Sequence, residues 1–537
     1  MKYRKTGTYL ATLAAAALLA VGIVPSVAGA AIARPLFSQP TTINQPVILN
    51  PGNPGSLSSL LHSPTQPVID AQGDVFITNY GDGSNGGVIV IPGRSTTSIF
   101  GQPVTPSQPA SLNPGNPDLD SLLDNPWGAA VDAQGDLFIA NFSYLGAGSI
   151  VVIPGPSTTS LYGQSVTPNQ PINLNPGSSP KLASLLNGPS GIALNQQGDL
   201  LVGNFSSGFI VAIPSPGTTS LFGQTVTPNQ PAIMNPGISG SLGRLVTQPG
   251  AVSFNAQGDL FIDDYLSGNQ ITVIPSPATS MIFGQTVVPN HPVSLDPGAS
   301  GALSVLNAPL GLAFDAAGDL FITDHNSNCC MTGSTNSQIL VLPNATTSSV
   351  FGQSVTPNVP VVLDPGTPGS LAQLLVGPSG LGFDAAGDLY IANQDANTVI
   401  AISTKSAPGA PTGVSLAPSN GGVQVSWSEP ADTGGLSILS YTATASPGGM
   451  SCTSSTTFCV IPGLASGVDY QVTVVAMNAV GTSEPSLVAS VSLASQGTLA
   501  ATGFNASLLL GLASASLGAG APTALRTQRR RRQISRL

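Results

Sequence analysis

A chain of 537 residues is too long for one ordinary hydrophobic core, so more than one domain is expected. Only 7% of its residues are charged, while 62 are Gly and 48 are Pro, which argues against a helix-rich fold and for a turn-rich, all-β one. The formal net charge is −10, and between the basic ends only Arg34, Arg94, Lys181, Arg244 and Lys405 stand against 24 acidic residues. Such a chain repels nucleic acid and anionic lipid, so neither is an expected partner.

At the N-terminus Lys2, Arg4 and Lys5 precede an apolar run from Tyr9 to Val24 and a small-residue site, Ala28-Gly29-Ala30. This is the pattern of a cleaved signal peptide over residues 1–30. The apolar run is short for a retained membrane helix.

Beyond it, one stretch recurs. Copies of Gly135-Asp136-Leu137-Phe138-Ile139-Ala140-Asn141 place their Gly-Asp aspartate at Asp74, Asp136, Asp199, Asp259, Asp319 and Asp388, with offsets of 62, 63, 60, 60 and 69 residues. Regular spacing of this kind marks a repeat protein. Each unit reads as four strands: Gly191 to Asn195 into the Gly-Asp turn, Leu260 to Ile262 out of it, Ser149 to Ile153 as a third, and Thr219 to Gln224 as a short fourth. Pro154 ends the third strand because it cannot donate to a ladder. Four such strands describe a propeller blade.

Phe-Gly-Gln or a near copy occurs at Phe100, Tyr162, Phe222, Phe283 and Phe351, and Phe37-Ser38-Gln39 precedes the first unit. The last unit, Pro378 to Ile402, lacks a fourth strand. The segment Leu36 to Gln39 is therefore expected to supply it, giving six blades and hiding two sheet edges. The units resemble the NHL family of β-propellers, whose pattern is matched by Pro309, Gly311, Leu312, Phe314, Asp315, Gly318, Asp319, Leu320, Phe321, Ile322 and Asp324. The resemblance implies a six-bladed propeller over 36–403. The long fourth-to-first connector, with Val226 to Pro231 and then Asn235-Pro236-Gly237, departs from that family.

Six long connectors are expected on one face, beside the second-to-third-strand loops that begin at Asn79, Asn141, Asn204, Asp264, Asp324 and Asn393. These six are the candidate ligand-binding residues, since loops on a rigid scaffold carry function. No cofactor is assigned; a Ca²⁺ held by this oxygen-bearing ring is the alternative to plain turn capping. For catalysis the inventory is thin: the glutamates are Glu429 and Glu484, outside the propeller, and the histidines are His62, His291 and His325, with no second His at metal-ligand spacing. Gluconolactonases and streptogramin lyases share such a fold, but their Glu-containing sites cannot be mapped here.

In the fifth unit Asp324 to Gln338 spans fourteen positions where Asp264 to Gln270 spans six, and the insertion carries Cys329-Cys330. A vicinal disulfide, pairing elsewhere and free thiols all remain open for that pair. After Ser403, residues 404–411 read as a Pro-rich linker. Pro411, Trp427, Pro430, Tyr441, Leu464, Tyr470 and Asn478 to Gly481 then resemble a fibronectin type III domain over 411–493. Cys452 and Cys459 bracket a Ser/Thr-rich turn and are expected to form a hairpin disulfide in an exported chain.

Past a short linker, 494–498, stands Leu499-Ala500-Ala501-Thr502-Gly503, then an apolar segment, 504–525, and a basic tail, 526–537, with Arg529 to Arg532. This is similar to a Leu-Ala-x-Thr-Gly cell-wall sorting signal. The resemblance implies cleavage by a sortase, joining of Thr502 to peptidoglycan, and transient membrane retention through the apolar segment; a plain membrane anchor is the alternative. The expectation as a whole is a wall-anchored surface protein whose propeller binds an extracellular protein or glycan, with the second domain as spacer. The alternatives are a secreted hydrolase or lyase acting on a carbohydrate or lactone, and a purely structural wall component.

Overall fold

The computed structural model describes residues 32–493, apart from 38, 52–56, 82–85, 116–117, 144–147, 178–179, 238–241, 266–269, 297–302, 304, 326–336, 405–407, 420–421, 432, 435 and 479–480. The signal segment, the sorting motif with its apolar and basic sequel, and the Cys329-Cys330 pair therefore lie outside the described residues.

Within each unit an Asx turn starts the first hairpin. Asp132 Oδ1 accepts the N–H groups of Gln134 and Asp136 at 2.9 and 2.8 Å, and Gly135 takes φ +79°, a conformation open to glycine without strain. Strands Asn125–Val131, Leu137–Phe142, Ser149–Ile153 and Ile172–Asn173 then form an antiparallel sheet in that order. The second strand is apolar and wholly buried, because both its faces pack on neighbouring sheets. The aspartate after each glycine ties down the exit of the third strand: Asp136 Oδ1 accepts from Gly155 N, and Asp199 Oδ1 from Ser215 N.

The Phe-Gly-Gln motif is not the fourth strand, contrary to the sequence expectation. It is a separate two-residue hairpin in which Ser98 faces Pro103 and Ile99 faces Gln102, turned by Phe100 (φ +47°) and Gly101 (φ +79°). Two consecutive positive φ values define the turn that matches strand twist. A left-handed Phe costs roughly 1–2 kcal/mol. The ring offsets that strain by packing on Phe76, 6.0 Å between centroids. Gln102 then holds the true fourth strand, Ala110–Leu112, donating to Ser111 O at 2.9 Å and accepting from Asn113 N at 2.8 Å.

Six four-stranded sheets of this kind are present among the described residues of the first domain. The last is completed by the N-terminal region, as expected, but through Pro46–Ile48 rather than Leu36 to Gln39: Pro46 faces Ile402 and Ile48 faces Ile400. Leu36 and Gln39 form instead the N-terminal copy of the small hairpin. Apolar cores fill the space between each adjacent pair of sheets, and one of them joins Tyr390 and Val399 of the last sheet to Val75 and Ile89 of the first. Hydroxyls of the innermost strands reach the next sheet: Thr65 Oγ1 to Trp127 O at 2.7 Å, Ser190 Oγ to Pro249 O at 2.6 Å, and Ser379 Oγ to Thr65 O at 2.9 Å, which closes the ring. Gly128 is needed here, since a Cβ would collide with the carbonyl oxygen of Ser190. The arrangement is an all-β, propeller-like ring.

Alternation of strand direction places the fourth-to-first connectors and the second-to-third loops on one face. The Val226 to Pro231 part of the connector precedes its fourth strand, Ala232–Ile233, and so lies on the opposite face, which corrects the reading of the whole connector as one loop. The Leu-rich ends of the connectors are anchored, with Leu57, Leu119, Leu182 and Leu371 fully buried.

Residues 412–492 form a sandwich. Thr412–Ser419, Gly422–Ser428 and Phe458–Pro462 make one sheet, and Ser451–Ser454, Ser440–Ser446, Asp469–Met477 and Ala489–Ser492 the other. Trp427, Tyr441 and Tyr470 fill the core, and Ala465 N donates to the Tyr470 hydroxyl at 3.0 Å. The Cys452–Cys459 disulfide forms. It joins the edge strands of the two sheets, rather than two partners within one hairpin.

Candidate functional site

The six Asn and Asp residues proposed from the sequence do stand at equivalent positions, each at the end of a second strand. All are buried, none more than 6% exposed. Their polar atoms are engaged by the backbone that enters the first strand. Asn204 Oδ1 accepts from Asn187 N at 2.8 Å while its amide donates to Leu185 O at 2.6 Å. Asn79 bridges His62 N and Leu60 O, Asn393 bridges Val376 N and Leu374 O, and Asn141 bridges Asp124 N and Leu122 O. The Asp264 carboxylate accepts from Gln248 N and the Thr247 hydroxyl; that of Asp324 accepts from Asn307 N and the Gln338 amide. Oxygens facing backbone N–H donors are not presented to an ion or ligand. Among the described residues no group of three or more His, Cys, Asp or Glu side chains is placed to hold a metal.

The next residue in each unit was missed by sequence reasoning: Tyr80, Phe142, Phe205, Tyr265, His325 and Gln394. The backbone N–H of Tyr80, Phe205, Tyr265, His325 and Gln394 bonds to a carbonyl before the adjacent first strand, so these residues sit beside the ring's axis. Their rings contact one another in sequence. Tyr80 meets Trp127 at 5.4 Å, Trp127 meets Phe142 at 6.0 Å, Phe142 meets Phe205 at 6.2 Å and Phe205 meets Tyr265 at 5.8 Å, all as edge or tilted pairs. Tyr80, Trp127, Phe205 and Tyr265 are half-buried. Trp127 also lines an axial cavity of about 300 Å³, walled by the innermost strands of all six sheets, with Thr65, Gln66 and Ser253 among its polar residues. The aromatic crescent thus reaches that cavity through Trp127. A recurring aromatic immediately after the Asn or Asp was the available sequence signal.

His325 and Gln394 complete the ring of positions, and Asp395 directly follows Gln394. His325 Nε2 lies 4.0 Å from Asp395 Oδ2, with Asp395 half exposed, and Nδ1 is buried without a hydrogen-bond partner. Burial lowers the His325 pKa and the neighbouring Asp395 opposes that shift. The other histidines stand apart: His62 lines a groove with Asp120 and Asp124, and His291 holds Pro289 O at 2.8 Å. Glu429 and Glu484 belong to the sandwich, away from these residues in sequence and domain.

One further buried acid was not foreseen. Asp263 occupies the second-strand position held by Thr78 and Thr323 in other units; its Oδ1 accepts from Gly250 N at 2.7 Å and Ala251 N at 2.6 Å, while Oδ2 has no partner. Complete burial pushes its pKa well above the ordinary carboxylate range.

Residues 409–492 match the fibronectin type III domain family. No curated protein sequence matches the chain. Among solved structures, virginiamycin B lyase from Staphylococcus aureus aligns at 14% identity over 67% of this chain and 99% of its own, with a TM-score of 0.35. A streptogramin B lyase aligns at 14% identity over 63% of this chain and 92% of its own, TM-score 0.34. The twitchin kinase region from C. elegans aligns at 28% identity over 16% of this chain and 17% of its own, TM-score 0.16. The activities in those names belong to those proteins.

Proposed function

We propose that the chain is an exported, wall-anchored binding protein. The propeller-like ring presents the aromatic crescent, the fibronectin type III domain spaces it from the wall, and Leu499 to Gly503 serves a sortase that joins Thr502 to peptidoglycan. The observation that carries the binding reading is the contiguous set of rings from Tyr80 to Tyr265, of which Tyr80, Trp127, Phe205 and Tyr265 are half-buried and Trp127 lines the axial cavity. Aromatic side chains at a concave opening provide large contact area at low entropic cost. The address is tested by fractionation: muramidase should release the full chain's mature form from the wall, and Thr502→Ala should divert it to medium or membrane. Binding is tested by thermal shift of the full chain against glycans, wall polymers and matrix proteins, since a ligand of the native state raises the melting temperature. A shift that Trp127→Ala abolishes supports the reading; no shift across the panel removes it.

A secreted lyase or hydrolase acting on a carbohydrate or lactone is the second reading, favoured by the pair of His325 and Asp395. A histidine near a carboxylate is poised for proton transfer. Turnover of a lactone or glycoside that is lost in His325→Ala, with the fold intact, would favour it.

A further inference from the structure

Three features of the same face, taken together, narrow its ligand. The first is the crescent itself. Aromatic faces carry negative potential and attract cations, and clusters of rings suit alkylated ammonium groups best. The second is charge. Asp395 stands half exposed next to Gln394, the sixth position of the ring, and the connectors of this face expose Asp118, Asp120, Asp124 and Asp296 against Lys181 and Arg244. A face with more exposed carboxylates than cations favours the approach of positive ligands.

The third is what six described side chains of this face do not offer. A neutral sugar needs directional hydrogen bonds beside its stacking ring. Asn79, Asn141, Asn204, Asp264, Asp324 and Asn393 are buried and already bonded to backbone. An alkylated ammonium group needs no such donors, because it is recognised by ring faces and a carboxylate.

We propose that the Tyr80 to Tyr265 crescent with Asp395 is a recognition site for a quaternary or alkylated ammonium group. This rests on the binding reading above and gives it a ligand class. Tyr80, Trp127, Phe205 and Tyr265 supply the half-buried rings, and Asp395 supplies the counter-charge. The site faces the connector side of the ring, opposite the Gly-Asp turns.

The test is calorimetric titration of the full chain with choline and with its neutral isostere 3,3-dimethylbutanol, with Trp127 emission as a second readout. Choline should bind, shift the emission, and exceed the isostere by roughly tenfold, the scale of one well-placed cation–π contact. Asp395→Asn and raised salt should each weaken it several-fold, and Trp127→Phe should remove the optical signal while melting stays at the wild-type temperature. Equal binding of the two probes overturns the cationic assignment. So does silence toward choline alongside a glycan that binds and is lost on Trp127→Ala; that result leaves the binding reading standing. Silence toward every probe and panel member overturns both.

Discussion

Asn195 donates its side-chain amide to Asp199 Oδ2 at 2.8 Å across the first hairpin turn, and Asn255 does the same to Asp259. In the other four units an aspartate stands in place of that asparagine: Asp70, Asp132, Asp315 and Asp384. There two carboxylates meet where these two units have an amide and a carboxylate. Burial, then the neighbouring Asp74 or Asp136, pushes Asp70 and Asp132 up to about 6, and Asp315 also rises. Asp388, in the fourth such turn, keeps a buried Oδ2 without a partner.

The sign of the pH effect follows. A carboxyl whose folded pKa lies above its unfolded value stabilises the fold fully at low pH and loses that contribution as pH rises. Stability should therefore fall from about pH 4 to just above pH 6, the interval between the ordinary value of 3.8 and the raised one near 6. Replacing Asp70 and Asp132 by Asn, as in the third and fourth units, should flatten this decline and raise stability at pH 8 by roughly 1 kcal/mol per site, after allowance for their partial exposure. Denaturant melts at pH 4 and pH 8 measure it; an unchanged slope in the double variant would show that these turns do not hold the extra protons.

Asp263 separates hydrogen bonding from charge. Asp263→Asn keeps an acceptor for Gly250 N and Ala251 N and removes the buried ionisable group, so the variant should be at least as stable as the parent at pH 8. Asp263→Ala leaves two backbone donors without a partner and should cost about 2–4 kcal/mol. Equal loss in both variants would mean that packing alone governs the position.

Gln224 holds the short fourth strand of its sheet through Ile233 O at 3.0 Å and Asn235 N at 2.7 Å. Gln224→Ala should cost about 1–3 kcal/mol and increase amide exchange at Ala232 and Ile233. Protection equal to the parent would show the strand to be held by its ladder alone.

Reduction of the Cys452–Cys459 bridge should lower the melting temperature of the sandwich and leave that of the ring unchanged. A loop this short stabilises by about 2 kcal/mol through the unfolded state. Cys452→Ser with Cys459→Ser, followed by calorimetry, reports it; a shift in the transition of the ring would instead indicate coupled unfolding of the two domains.

The all-β class, the repeat and the second domain were legible because each rests on local chemistry. Gly-Asp demands an Asx turn with a left-handed glycine, an unbroken Leu-Phe-Ile run demands burial on both faces, and Trp427 with Tyr470 marks a sandwich core. Less legible was the fourth strand. Ile172–Asn173 and Ala232–Ile233 are only two residues long, too short for any periodicity, and their place is set by a glutamine nine residues upstream. The role of the six Asn and Asp residues was also hidden, since the same side chain caps a buried connector or faces a ligand depending on which backbone groups lie opposite.

Sequence alone determined the order of the repeating units and the turns within them, because each depends on residues close together in the chain. The tertiary structure decided what stands beside what. Only the packing of the sheets into a ring puts Ser379 against Thr65, sets Tyr80, Trp127, Phe142, Phe205 and Tyr265 in edge-to-face or tilted contact from four successive sheets, and brings Asp395 to His325 across seventy residues. Those contacts join residues that no local pattern relates, and their geometry comes from the packing of whole sheets around one axis.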